Sequence, residues 1–305
     1  MKIKVSAPGK LMLFGEHAVV YDRPCIVTAV SSRLHVELEQ TPGRFKIDAP
    51  QVKDVRFVEE AVHLFKEKYG LVDGLSIKTS SDFSCQYGFG SSSAVTVATL
   101  LALVKLYRLN LSAKDIFNLG YQVTLNIQKV GSGFDIAAAA YGGVLYFLTG
   151  GKVIKPFIVN DLPIVVGYSG IKADTPSIVN NLKLKMKNKK LQLKIISLFN
   201  LIEKIVIQAK TALQDKGWEK LGELMNENQK LLQQLGVSTE KLDQTCAMAI
   251  SAGAYGAKLS GAGGGDCMIA LVSEEKRKSV EMAIRKAGGE IIKVKSNAEG
   301  VKLEK

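Results

Sequence analysis

The chain has 305 residues, 47% of them hydrophobic, 23% charged and 7% aromatic, which is the composition of an ordinary globular protein and excludes a disordered chain. Its length exceeds the usual single-core size and predicts two packed domains with a cleft between them. The formal net charge of +12 admits either a nucleic-acid partner or a phosphorylated substrate.

The opening apolar stretch carries Lys2, Lys4, Lys10 and Glu16 and fits no signal peptide, and no apolar run is long enough to span a bilayer. The expectation is a cytoplasmic protein with no membrane partner. Residues 2–5 and 26–39, rich in Val and Ile with partial alternation, predict antiparallel strands. A helix is predicted over 54–69, where Val55, Val58, Ala61, Val62 and Phe65 share a face, and a strand over 75–79. Residues 94–107 are apolar almost all round and predict a buried helix directly after a serine cluster. Another helix follows over 115–128, ending in the turn Gly131-Ser132-Gly133, with small residues from Ala137 to Ala140. A compact buried strand over 164–168 opens a second region. Helical patterns then cover 192–213, 218–235 and 238–252, followed by a strand–loop–strand element around 261–265, an amphipathic helix over 274–287 and a last strand over 290–294. The order predicts two α+β halves, residues 1–158 and 159–305, meeting near 155–162.

Cys25, Cys85, Cys246 and Cys267 lack the close pairs of zinc or redox sites and read as small core residues. The run Lys183, Lys185, Lys187, Lys189 and Lys190 has no base-stacking aromatics beside it and reads as a solvated face, so no nucleic-acid partner is expected.

Chemistry concentrates in three glycine clusters. Gly88-Phe89-Gly90-Ser91-Ser92-Ser93 runs into the buried helix, and a helix N-terminus offers unpaired N–H groups and partial positive charge, with glycine letting the backbone approach an anion. A phosphate suits this place, although the serines could instead simply cap the helix. Neither a P-loop nor a dinucleotide fingerprint is present. In Gly131-Ser132-Gly133-Phe134-Asp135, an acid flanked by apolar residues calls for a cationic partner, and Lys10 is one candidate. Gly261, Gly263, Gly264 and Gly265 sit between two strand-like segments and imply a close backbone approach or a tight hairpin.

Three such loops in this order resemble the GHMP kinases, nearly end to end. The first motif is the string from Pro8 to Tyr21, the second Gly88 to Ala94 and the third Lys258 to Cys267. The resemblance implies the two-domain GHMP kinase fold, an α+β fold with an N-terminal half like ribosomal protein S5 domain 2 and a ferredoxin-like C-terminal half. It also implies an ATP-dependent small-molecule kinase with Mg²⁺. ATP would lie on Gly88, Phe89, Gly90, Ser91, Ser92 and Ser93, with Ser92 touching the metal. Asp135 and Lys10 match the catalytic aspartate and lysine, and Glu16, His17, Thr175, Gly261, Gly263 and Gly264 match the substrate end; a buried structural histidine is the plainer reading of His17. The string from Gly15 to Tyr21, residues 221–229 and residues 235–238 are most similar to archaeal-type mevalonate kinases and imply mevalonate as acceptor in isoprenoid biosynthesis. Residues 129–139 and Gly264-Gly265-Asp266-Cys267 look more like phosphomevalonate kinase, which makes 5-phosphomevalonate the alternative acceptor. Mevalonate kinases carry a metal-binding Glu where this chain has Thr124. A homodimer is among the assemblies all this allows.

Overall fold

In the computed structural model, residues 2–43, 45–51, 54–70, 74–159 and 162–304 are described. Strand β1 (Lys2–Phe14) runs well past the expected 2–5, since every residue from Val5 to Phe14 is buried. Pro8 and Gly9 hide this in the sequence, because both are depleted in strands. Lys10 therefore lies inside the strand and not in a loop after it. β2 (Pro24–Gln40) pairs antiparallel with β1, and the register slips where Pro8 faces Arg33 but Gly9 faces Val30. Such an irregularity bends and twists a strand and re-aims the side chain beyond it, here Lys10.

The far edge of β2 is shared by β4 (Leu75–Ser81) and β5 (Val144–Leu148), with β3 (Lys46–Asp48) parallel to β4 and β6 (Val153–Phe157) antiparallel to β5. Helices α1 (Arg56–Tyr69), α3 (Ala113–Gln128) and α4 (Phe134–Tyr141) pack around α2 (Ser91–Leu106), which also lies on β1 and β2. Enclosure on all sides accounts for the uniformly apolar α2 sequence: Val97, Leu100 and Leu103 are wholly buried. Each such side chain contributes roughly 1.5–3 kcal/mol relative to exposure.

The second sheet has β7 (Ile164–Tyr168), β8 (Gly256–Ser260), β9 (Cys267–Leu271) and β10 (Glu290–Ile292) in the order β10-β7-β9-β8, all antiparallel. Helix α5 (Thr175–Lys185) and the long helices α6 (Lys189–Gln214), α7 (Trp218–Leu235) and α8 (Glu240–Ser251) separate β7 from β8, and α9 (Glu274–Lys286) separates β9 from β10. A fourth strand beside the first, in a β-α-β-β-α-β order, is the ferredoxin-like arrangement. Both sheets and the mixed class agree with the two-domain α+β fold expected.

One expectation fails at the end of the chain. The strand at 290–292 is not the last: β11 (Lys302–Leu303) returns to the first sheet and pairs with β1, Val5 opposite Leu303. Arg33 fastens this return, donating from Nη1 to Glu299 O at 2.8 Å and from Nη2 to Gly300 O at 2.7 Å. Asn297 N adds a bond to Thr28 Oγ1 at 2.9 Å. Local periodicity cannot reveal so short a strand, because its pairing is set by contacts nearly 300 positions apart.

Lys185, Lys187, Lys189 and Lys190 are exposed where α5 gives way to α6, as a solvated face requires. Cys25, Cys246 and Cys267 are buried thiols, but Cys85 is exposed, contrary to its reading as a core residue. Among the described residues no helix is long and apolar enough to cross a membrane.

Candidate active site

The phosphate-loop candidate sits where the two sheets face each other. Gly90 is the N-cap of α2 in a left-handed conformation, and no side chain caps the helix. The capping alternative for the serines is thereby removed. The first amide to bond back is Ala94 N, to Gly90 O at 3.0 Å, so the amides of Ser91, Ser92 and Ser93 point out of the helix start. Among the described residues their hydroxyls make no hydrogen bond either, and the one side chain that bonds this stretch is Thr96, whose Oγ1 donates to Ser92 O at 2.7 Å. Orphan amides, free hydroxyls and the positive end of a sixteen-residue helix form an anion cradle.

Phe89 enters differently from its neighbours. Its ring is buried beside Phe83 and Tyr87 and anchors the loop, so only its backbone faces the cleft; Phe89 O accepts from Lys10 N at 2.9 Å. Gly9 makes this approach feasible, since a Cβ there would lie 3.2 Å from the Phe89 side chain.

Lys10 is 8% exposed and donates from Nζ to Gly88 O at 2.7 Å. Among the described residues no ion pair joins it to Asp135, the partner considered from sequence. The two are nonetheless neighbours, as a Cβ on Gly90 would touch both Lys10 Cε at 3.2 Å and Asp135 Cβ at 3.8 Å. Burial pushes the Lys10 ammonium below its usual range, and the charges of Asp135 and Asp266 pull it back. Asp135 lies in the first turn of α4, whose Gly133 N-cap is again left-handed and offers no side-chain cap. Two uncapped helix starts therefore converge near one lysine and one carboxylate.

The third glycine cluster is a hairpin loop between β8 and β9, and packing explains much of it. A Cβ on Gly263 would meet Val237 O at 2.0 Å, and one on Gly264 would meet Ile178 Cδ1 at 2.5 Å, whereas Gly261 borders open space. The loop also reaches the first sheet's side. Ala262 O accepts from His17 Nε2 at 2.8 Å, and Ser260 Oγ bonds both Met12 N and Met12 O at 3.0 Å. His17 is buried with φ +59°, a strained conformation for a non-glycine residue, and its bond to a carbonyl fixes the Nε2–H tautomer and leaves Nδ1 as acceptor.

Burial lowers the His17 pKa from about 6.5. With a depressed folded pKa, the unfolded chain binds the proton first, so stability falls as pH drops below about 6.5. Urea midpoints measured between pH 5 and 7.5 should show this loss in the wild type, by up to about 1.4 kcal/mol per unit, and a flatter profile in His17→Gln. Equal slopes would refute the assignment.

Glu16 and Lys258 form an ion pair with both side chains wholly buried. Burial pushes Glu16 up and Lys258 down, each partly opposed by the other's charge. Among the described residues Glu16 Oε2 has no hydrogen-bond partner. Lys258 escaped selection as a site residue although it heads the third motif, because its role exists only across the cleft. So did Asp266, whose interruption of a glycine run was the available signal: its carboxylate abuts Gly88 so closely that a Cβ there would fall 2.3 Å from Oδ2. Thr175 is exposed on the first turn of α5 and, among the described residues, makes no hydrogen bond into this cluster. Thr124 is buried, with Oγ1 bonded to Gly120 O at 3.1 Å inside α3, and brings no carboxylate to the site.

A cradle for phosphate beside a buried ammonium and a carboxylate, at a place that Asp266 of the second sheet's hairpin loop also reaches, is the equipment of a phosphotransferase acting on a small molecule. Comparison with known proteins agrees. The models of the GHMP kinases N terminal domain and GHMP kinases C terminal match residues 56–143 and 209–290, and the chain belongs to the GHMP kinase family; it is an ATP-dependent small-molecule kinase. It is 36% identical to the mevalonate kinase of Pyrococcus abyssi, over 99% of this chain and 98% of the relative, and 30% identical to that of Saccharolobus solfataricus over the same shares. Among solved structures it is similar to the L. major mevalonate kinase in complex with R-mevalonate, at 27% identity and a TM-score of 0.82 over 97% of this chain and 96% of that one. Streptococcus pneumoniae phosphomevalonate kinase shares the fold, with a TM-score of 0.85 at 21% identity over 97% and 99% of the two chains.

Proposed function

We propose that the chain transfers the terminal phosphate of ATP to the 5-hydroxyl of mevalonate. The observation that carries the chemistry is the uncapped start of α2, with three amides and three hydroxyls free among the described residues, beside Lys10 and Asp135. The acceptor is supported by full-length relatives named mevalonate kinase at 30–36% identity. They favour mevalonate over 5-phosphomevalonate, the acceptor considered from the middle of the chain.

ATP lies with its phosphates on the amides and hydroxyls of Ser91, Ser92 and Ser93, and Gly88 and Gly90 let it approach the backbone. Lys10 offers charge to the moving phosphoryl group from a buried position, where it acts more strongly than in water. Asp135 accepts or orients the proton of the acceptor hydroxyl. Glu16, His17 and the loop at Gly261 form the acceptor end, with Thr175 at its rim.

Among the described residues no group of three or more acidic, histidine or cysteine side chains could hold a metal. That suits Mg²⁺, which is commonly bound by one or two protein groups with phosphates and water completing its shell. The free Ser92 hydroxyl is the group that would hold it, with phosphates and water filling the rest of its shell, and when bound it neutralises phosphate charge.

ADP release measured with mevalonate and with 5-phosphomevalonate in parallel tests the proposal. Turnover is expected with mevalonate and is expected to cease when the divalent metal is chelated. Turnover with 5-phosphomevalonate alone would overturn it.

A further inference from the structure

Lys172 plays no part in the function just proposed, yet the structure brings it to the same cleft from the second sheet. Asp266 Oδ1 accepts from Lys172 Nζ at 3.0 Å and from Ala173 N at 2.9 Å. The two partners differ in depth: the lysine side chain is 47% exposed and the carboxylate 7%. Asp266 is thus an inner anchor with an ammonium at its outer side. Its other face presses on Gly88, whose carbonyl holds Lys10. Lys10 feels both charges, the carboxylate favouring its ammonium and Lys172 opposing it.

An ammonium has three N–H donors, and Lys172 uses one of them among the described residues, which leaves two directed to solvent. A carboxylate buried beside a phosphate cradle repels an incoming phosphate unless it is neutralised, and two donors on Oδ1 neutralise this one. The adjacent helix start cannot take over the task, because Asp174 already occupies it by accepting from Ser177 N at 3.2 Å.

We propose that Lys172 is a second cation of the active site, held by the positioning residue Asp266 and binding an oxyanion of the bound substrates across the cleft from Lys10. The oxyanion is the terminal phosphate of the nucleotide or the carboxylate of the acceptor. The inference rests on the proposed function for its setting, and nucleotide titration reads it independently of turnover.

The test compares Lys172→Met, Lys172→Arg and Asp266→Asn with the wild type, by calorimetric titration of an ATP analogue and by steady-state kinetics with mevalonate. Loss of a charge-assisted bond at a half-exposed site corresponds to about a tenfold effect. If the nucleotide supplies the oxyanion, analogue affinity falls about tenfold in Lys172→Met and recovers in Lys172→Arg. If the acceptor supplies it, KM for mevalonate rises similarly with nucleotide affinity unchanged. Asp266→Asn should follow the same pattern with a smaller effect. Wild-type affinity and KM in Lys172→Met would overturn the proposal. So would a fall in Tm with unchanged binding that Asp266→Asn reverses in the double variant, the behaviour of a mere counter-ion. Absence of mevalonate turnover in the wild type, with the tenfold nucleotide effect intact, would sink only the acceptor assignment.

Discussion

Asp135→Asn is expected to lower turnover by about 10²–10⁴-fold, the range that a positioned acid–base group supplies. Nucleotide affinity should stay close to that of the wild type. The separation follows from the architecture. The cradle belongs to α2 and draws on amides and hydroxyls of residues 91–93, whereas Asp135 lies in the first turn of a different helix and neighbours the cradle at Gly90. Asn keeps the size of the side chain and its ability to accept from Ile136 N, a bond now 3.1 Å long, so the start of α4 should hold. What disappears is the negative charge and the capacity to take a proton. Single-turnover kinetics beside calorimetric titration of ATP would measure both halves. Near-normal turnover in this variant would remove Asp135 from its role.

Lys258→Met should be the most destabilising single change at the interface of the two sheets, costing about 3–5 kcal/mol, because it strands Glu16 as an unpaired buried charge. The variant should also acquire a distinctive pH dependence. Burial already raises the Glu16 pKa, and Lys258 is the largest influence opposing that shift, ahead of the backbone of Glu16 and Gly261. Without the lysine the folded form holds its proton to higher pH than the unfolded chain does. Stability is then greatest at low pH and is lost as pH rises through the folded pKa. Glu16→Gln combined with Lys258→Met should recover much of the loss, since removing both charges of a buried pair costs far less than removing one. Thermal melts of the single and double variants from pH 5 to 8 check the prediction; additive losses would contradict it.

Much of this was readable one residue at a time. Gly90 and the serines after it advertise an anion site, and the apolar surround of α2 advertises its burial, because both signals are local. Lys10 and Asp135 were identifiable by their resemblance to known motifs, but their relation was not: the structure sends the lysine's hydrogen bond to Gly88 O. Spacing along a chain cannot distinguish a direct ion pair from two groups flanking the same loop. The glycines of the third cluster mislead in another way. Substrate approach and tight packing both demand the absence of a side chain, and only the structure reveals that Gly263 is pressed against Val237 O while Gly261 is open. Lys258, Asp266 and Lys172 illustrate the hardest case. Each matters through a partner on another element, 242 positions away for Lys258 and Glu16, and no window of sequence contains both.

The return of β11 to β1 has a consequence for the order in which the molecule can assemble. Residues 2–157 contain six of the seven strands of the first sheet, but one edge of β1 waits for residues 302–303, and Arg33 waits for the carbonyls of Glu299 and Gly300. During synthesis the N-terminal half therefore emerges with an unfinished border, while more than a hundred residues of the second domain are still to be made. The second domain is in effect spliced into the first, and closing the loop that contains it is a late, long-range event in folding. The same closure gives the mature enzyme two chain crossings between its halves instead of one.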